Sequence, residues 1–203
     1  MLDFWRPNEY SFRAVTRTEE RSEDILRAAL CLFVERGFHG TSVPSVAEHA
    51  GVAAGTIYHY FASKEALVNA LYKRWKADIS TRVTTQFPFD RPPREQFRTI
   101  WERMVDFALA HPLELAFLEL HHHGSYLDEE SRRIESKTTE FGIEMIKQAQ
   151  ANQAIKPLDP TMLMELANGA FLGVFRAGLG KRIPLDKPTL MAAERCCWEA
   201  VRA

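Results

Sequence analysis

Thr41-Ser42-Val43-Pro44-Ser45-Val46-Ala47-Glu48-His49-Ala50-Gly51-Val52-Ala53-Ala54-Gly55-Thr56-Ile57-Tyr58-His59-Tyr60 is the stretch that decides the fold. Its pattern predicts two short helices, over residues 43–50 and 54–60, separated by Gly51-Val52. Thr41 or Ser42 can cap the first, and Pro44 is tolerated because it falls in the first turn. Val46, Ala47 and Ala50 give that helix an inner face, Gly51 permits a sharp turn, and Val52 fills the space between the helices. Ile57 and Tyr60 have the spacing to pack the second helix onto a preceding one, which leaves Ala54, Gly55, Thr56, Tyr58 and His59 facing outward. Two short helices joined by a tight Gly-containing turn are the sequence form of a helix-turn-helix. Small residues at the start of the second helix allow close approach to base edges, and Thr and Tyr supply hydrogen bonds and contact with thymine methyls. The same spacing also serves all-α domains that never touch DNA, so spacing alone leaves both readings open.

Working outward, a helix is expected over 19–36, with Ile25, Leu26, Ala29, Leu32 and Phe33 on one face and Gly37 ending it. Ser63 can cap a longer helix over 64–85, striped by Leu67, Leu71, Trp75 and Ile79. Phe87-Pro88-Phe89-Asp90-Arg91-Pro92-Pro93 is the plainest boundary in the chain. Beyond it, helices are expected over 95–110, then to His123 before Gly124, then over 128–151, 160–179 and 188–202. Asp159-Pro160 offers an N-cap followed by Pro at the first helical position. No period-2 strand pattern occurs, so the expected fold is all-α, of about nine helices. It divides into an N-terminal arm (1–18), a three-helix helix-turn-helix domain (19–66) and a helical bundle (67–203), with the helix over 64–85 connecting the last two.

The chain has 203 residues, 46% of them hydrophobic, and a formal net charge of −1. Met1-Leu2-Asp3-Phe4-Trp5-Arg6-Pro7 lacks the basic-then-apolar order of a secretory signal, and charges such as Glu165 and Arg176 interrupt the apolar runs. A cytoplasmic protein with no membrane partner is therefore expected. Net charge gives no hint of nucleic acid, and basic residues among the first 80 are matched by as many Asp and Glu, so a DNA reading must rest on where the charges sit. Cys31, Cys196 and Cys197 have no metal-ligand spacing; adjacent Cys196 and Cys197 suit either buried small hydrophobes or a redox switch.

Three segments carry a family resemblance. They are Gly37-Phe38-His39-Gly40-Thr41-Ser42-Val43, Val46-Ala47-Glu48-His49-Ala50-Gly51-Val52, and Gly55-Thr56-Ile57-Tyr58-His59-Tyr60-Phe61-Ala62-Ser63-Lys64-Glu65-Ala66-Leu67. Together they closely resemble the DNA-binding domain of the TetR family of transcriptional regulators, without a gap over about residues 20–70; beyond residue 90 the likeness is architectural. The resemblance implies double-stranded operator DNA as a partner, with Thr41 contacting phosphate at a helix N-terminus. It further implies that Ala54, Gly55, Thr56 and Tyr58 approach bases or the adjacent backbone, that His59 touches phosphate and that Lys64 anchors one. A cation in a helix's first turn is disfavoured by the macrodipole, so Lys64 calls for an anionic partner outside its own helix. Ala53 departs from the family, which often has Ser there to cap the recognition helix, at a cost of about 1 kcal/mol in local helix stability. Arg6, Arg13 and Arg17 of the arm suit either phosphate contact or a minor groove.

The resemblance also implies a ligand-binding and dimerisation role for the C-terminal bundle. Leu163, Leu166, Ala170, Phe171, Val174 and Phe175 give one late helix a broad apolar face, with Gly169, Gly173 and Ala177 allowing close approach, and Leu190, Ala193, Cys197 and Val201 stripe the last. An intramolecular core accounts for such stripes equally well; the resemblance favours a homodimer interface. Trp101, Met104, Val105, Phe117, Leu120, His121, Tyr126, Phe141, Met145, Leu172 and Phe175 are the candidate lining of an effector pocket among the central helices, suited to a small apolar or aromatic molecule. His121-His122-His123 cannot close on one ion, because consecutive helical residues point about 100° apart. Glu119 and His122 form half of a di-iron motif whose second half the chain lacks, so no metal and no cofactor is expected. No Ser-His-Asp or Cys-His arrangement supports catalysis, and the chain is not expected to be an enzyme. The expected function is that of a one-component, sequence-specific regulator, a repressor released from a palindromic operator by its effector. An interaction adaptor that has kept this fold but lost DNA binding is the alternative, and Ala53 is its only support.

Overall fold

In a computed structural model of the chain, residues 17–120 and 123–203 are described, without the side chains of Arg17, Glu19 and Leu120. Nine helices run through them: α1 (Arg17–Arg36), α2 (Val43–His49), α3 (Ala54–Tyr60), α4 (Lys64–Thr84), α5 (Pro93–Ala110), α6 (Pro112–Leu120), α7 (Glu129–Ala151), α8 (Pro160–Leu179) and α9 (Lys187–Val201). Residues 1–16 of the expected arm, including Arg6 and Arg13, lie outside the described residues, as do His121 and His122, whereas Arg17 and Thr18 open α1.

The helix starts follow from local chemistry. Ser42, Ser63, Asp128, Asp159 and Asp186 each turn a side-chain oxygen onto a backbone N–H three residues on, satisfying a donor the helix leaves without a partner. Between α2 and α3 the chain reverses through a Schellman closure. Val52 N–H donates to Ala47 O and Gly51 N–H to Glu48 O, with Gly51 at φ +65°. Gly40 is required for a different reason: a Cβ there would stand 2.3 Å from the Arg36 carbonyl oxygen, so the turn after α1 closes only without a side chain. One expected boundary shifts. The helix read as reaching His123 is described only to Leu120, and His123 is already non-helical, its Nε2 lying 2.6 Å from Phe117 O.

Helices α1, α2 and α3 form a head whose core is Ile25, Ala29, Leu32, Phe33, Val46, Ala47 and Ile57, all buried. Helix α4, with Leu67 and Leu71 buried, packs on α1 and continues into the C-terminal half, where it meets α5, α6 and α7. Helices α8 and α9 pack against each other, α9 also on α5 and α8 on α7. Among the described residues, no helix is long and apolar enough to cross a membrane.

Glu114, in the first turn of α6, is half-buried. Burial pushes its carboxyl above the usual range, against the opposing pull of its own backbone amide, His111 and Arg74. An acid whose folded-state pKa is raised contributes stability at low pH that is lost as the pH rises through the folded value. Glu114→Gln is therefore expected to raise the thermal midpoint at pH 7 and to approach the parent below about pH 3, where the carboxyl is protonated in both states. A midpoint at pH 7 no higher than the parent's would count against this.

Candidate DNA-binding surface

The second short helix is held by one face and displays the other. Ile57 is fully buried and Tyr60 packs against the head core. Ala54, Gly55, Tyr58 and His59 are exposed and Thr56 is half-buried. Tyr58 is 56% exposed, an aromatic ring the fold leaves in solvent on a helix otherwise seated by Ile57. At Ala53 the N-cap makes no side-chain hydrogen bond, as the sequence leads one to expect.

The two other residues assigned to phosphate sit differently. Thr41 is 2% exposed, and its hydroxyl lies within bonding distance of the carbonyls of Gly37 (2.8 Å) and Leu32 (3.1 Å), tying the start of α2 to the end of α1. The ammonium of Lys64 donates to Phe38 O at 2.7 Å and Thr41 O at 2.9 Å and stands 3.9 Å from the Phe38 ring centroid. The partner that the macrodipole argument calls for is thus supplied within the chain, by carbonyl dipoles and an aromatic face. Two of the three ammonium donors are committed to it.

The candidate pocket residues separate into groups. Trp101, Val105, Phe117 and Phe175 are buried in the main core, with Met104, Leu172 and Tyr126 packed against it. Trp101 donates its indole N–H to Leu190 O and meets Phe171 edge-on. Phe141 lies instead against Phe87 and Phe89, beside the α4–α5 connection, and Met145 is buried. Tyr126 stacks on Phe38 of the head. The side chain of Leu120 is not described. A depression of about 400 Å³ lies elsewhere, between Phe89–Pro93 with Gln96 and the end of α7 at Gln148, Ala149 and Asn152.

The pairing stripes need a correction. Leu163, Phe171 and Phe175 of α8 and Leu190, Cys197 and Val201 of α9 are buried within the subunit, because α8 and α9 close over α5 and α7. What α8 leaves outside is Met162 and Leu166, about half-exposed, with Gly169 and Gly173 facing open space. Cys197 behaves as a buried small hydrophobe, and burial with the nearby Glu194 carboxylate pushes its thiol up to about 11; Cys196 is exposed. Among the described residues, no group of three His, Cys, Asp or Glu is placed to hold a metal ion.

Sequence reasoning missed the residues that fasten α4 to its surroundings. Asn69, 6% exposed, donates to Glu65 O and Tyr126 O and accepts from the Asp128 N–H and the Ser131 hydroxyl. At the far end, the guanidinium of Arg103 from α5 reaches the carbonyls of Arg82, Val83, Thr85 and Gln86, closing the C-terminus of α4.

Comparison with known proteins agrees with this architecture. Residues 25–71 match the family model described as bacterial regulatory proteins, tetR family, and residues 72–203 the tetracyclin repressor-like C-terminal domain. The HTH-type transcriptional repressor KstR2 of Mycobacterium tuberculosis is 38% identical over 61 residues, a match covering 30% of this chain and 30% of that one. The Transposon Tn10 TetC protein of Escherichia coli is 26% identical over 153 residues, 75% of this chain and 77% of the relative. A crystal structure of a TetR family transcription regulator from Shewanella sp. PV-4 superposes with a TM-score of 0.74 at 26% identity, over 90% of this chain and 98% of that chain. The two family models meet without a gap, and the chain belongs to the TetR family of DNA-binding transcriptional regulators, whose members are transcription factors and not enzymes.

Proposed function

We propose that the chain is a one-component repressor: a cytoplasmic homodimer that reads a palindromic operator with α3 of each subunit and releases it when a small apolar or aromatic effector enters the bundle. The carrying observation is the outward face of α3, where Tyr58 stands in solvent beside Ala54, Gly55 and His59 while Ile57 and Tyr60 seat the helix. A head this small offers few base contacts, so twofold pairing onto half-sites about 34–36 Å apart, or a multiple of that, supplies the missing specificity. The exposed apolar strip of α8, with Met162, Leu166, Gly169 and Gly173, supports pairing through that helix. We divide the chain at 19–66 and 67–203, with α4 as the lever between the parts. Lys64 grips one end of α4 and Arg103 the other, so displacement of α4 in the bundle changes the spacing of the two recognition helices. Thr41 and Lys64 set the height of the head on α4, and contact with bases falls to Gly55, Thr56 and Tyr58.

Selection from a randomised duplex library, followed by affinity measurement against salt, tests the reading. A recovered palindrome with a steep negative salt slope supports it. No enriched sequence and weak binding throughout would overturn it in favour of a protein-interaction role. Effector and operator must also weaken each other by the same factor, so an effector that binds equally with and without duplex would remove the coupling.

Gly55 separates folding from recognition. A Cβ at this position meets nothing within 4 Å. Gly55→Ala is therefore expected to gain up to about 1 kcal/mol of helix stability and to raise the unfolding midpoint. Its affinity for the selected duplex is expected to fall, since the added methyl stands where the groove approaches. Unchanged affinity would place Gly55 away from DNA.

A further inference from the structure

The turn joining α6 to α7 belongs to the C-terminal half by sequence, yet it reaches the head. The ring of Tyr126 stacks on Phe38 with centroids 3.8 Å apart and planes 19° from parallel, and its hydroxyl lies 2.9 Å from Nε2 of His39. Lys64 Nζ stands 3.9 Å from the same Phe38 ring. One face of a ring cannot hold both neighbours at that separation, so Phe38 is clamped between the ammonium of α4 and the ring of Tyr126. The clamp is fastened on the other side as well. Asn69 of α4 donates to Tyr126 O at 2.7 Å and accepts from the Asp128 N–H and the Ser131 hydroxyl, each at 2.8 Å. Lys73 of α4 adds ion pairs to Asp128 and Glu130.

Phe38 and His39 sit in the turn whose next members are Gly40, closed against Arg36, and Thr41, bonded back to Gly37 and Leu32. That turn delivers the chain into α2, and the Gly51 closure delivers α2 into α3. The orientation of the recognition helix is therefore set by a turn that a side chain from the other half of the molecule holds down. Phe38 and Tyr126 both lie at the margin of the core that holds Phe33, Val46 and Ile57, each of which is fully buried.

We infer that Tyr126 is a positioning residue for DNA binding: by stacking on Phe38 it sets the α1–α2 turn, and the α6–α7 turn thereby reports the state of the C-terminal half directly to the head, in parallel with α4. This rests on the regulator reading above. Anything in the bundle that displaces the α6–α7 turn, either directly or through Asn69 and Lys73 of α4, unstacks Phe38 and loosens the head.

The test uses the full-length protein and the duplex recovered by selection, with affinities expressed per active molecule from a stoichiometric titration. Tyr126→Ala is expected to weaken binding at least tenfold, whereas Tyr126→Phe, which keeps the stack, stays within threefold. Phe38→Leu combined with Tyr126→Leu is expected to cost no more than either change alone, because both remove one contact. Affinity of Tyr126→Ala within threefold of the parent, or additive losses in the double variant, would overturn the inference. A second readout needs no DNA: amide exchange across residues 38–43 should accelerate in Tyr126→Ala while α9 keeps its protection. Unchanged exchange there would overturn the inference even if no operator were found, so its failure is distinct from failure of the regulator reading.

Discussion

Tyr58→Ala is expected to lower affinity for the selected duplex by roughly 30-fold or more while leaving the unfolding midpoint unchanged or slightly raised. The two halves of that expectation have separate causes. Tyr58 is 56% exposed and seats nothing in the fold, so its removal belongs with surface substitutions, which change stability by about 0.5 kcal/mol or less. A well-placed base contact is worth about 1–3 kcal/mol, and a dimer makes the contact twice. The lower figure doubled already corresponds to roughly 30-fold. Because the ring carries no charge, the salt dependence of binding should keep its slope, and affinity for unrelated duplex should stay where it was. An equal loss on every duplex would instead assign Tyr58 to the phosphate backbone. No loss at all would remove α3 as the reading element.

What the sequence made legible, and what it did not, divides along a physical line. Helix starts were readable because caps act over three residues: Ser63 and Asp159 follow from one turn of chain, while the sequence left Thr41 and Ser42 as alternatives and the structure makes Ser42 the cap. The turn at Gly51 was readable because only glycine adopts its backbone angle without strain. Contacts between distant residues were not. Nothing near Asn69 announces that it will hold the turn at Tyr126, and nothing near Lys64 announces that Phe38 and Thr41 will satisfy it. The macrodipole argument says that a cation in the first turn needs a partner and is silent on where the partner comes from.

The stripes on α8 and α9 show the same limit from another side. Periodicity reports that a helix face is apolar, not what covers it. Leu190, Cys197 and Val201 would have read identically had they faced a second subunit, and they turn out to face α5 and the remainder of their own chain. Tyr126 is the complementary case. As one aromatic among many it suits a pocket lining, and only the three-dimensional path of the α6–α7 turn takes it to the head. The face of α3 was easier because it rests on what the fold leaves unburied, a property that the spacing of Ile57 and Tyr60 determines.

The second large effect lies far from the DNA, where α5 meets α9. Glu194 is 1% exposed, and both of its carboxylate oxygens are paired with the guanidinium of Arg94, which also lies 5.1 Å from the Trp198 ring. In the sequence, Glu194 interrupts the apolar stripe between Leu190 and Cys197, and a charge in such a place has to be paired to be retained. Arg94→Met removes the partner and leaves the carboxylate in an apolar seam. Breaking a buried pair in this way costs about 3–5 kcal/mol, and the low end applies because the Arg94 side chain is 36% exposed. For a chain of this size, about 3 kcal/mol lowers the thermal midpoint by roughly 6–12 °C. The double variant Arg94→Met with Glu194→Met should recover most of that loss, since two apolar side chains of similar length can fill the seam without a charge to solvate. The pair then serves to fix the register of α9 on α5 more than to stabilise it. Should the single variant prove as stable as the double, the carboxylate has found another partner and the seam is more open than its burial implies. Should the double be as unstable as the single, packing of the guanidinium on Trp198 is the larger contribution and the charge of Glu194 the smaller.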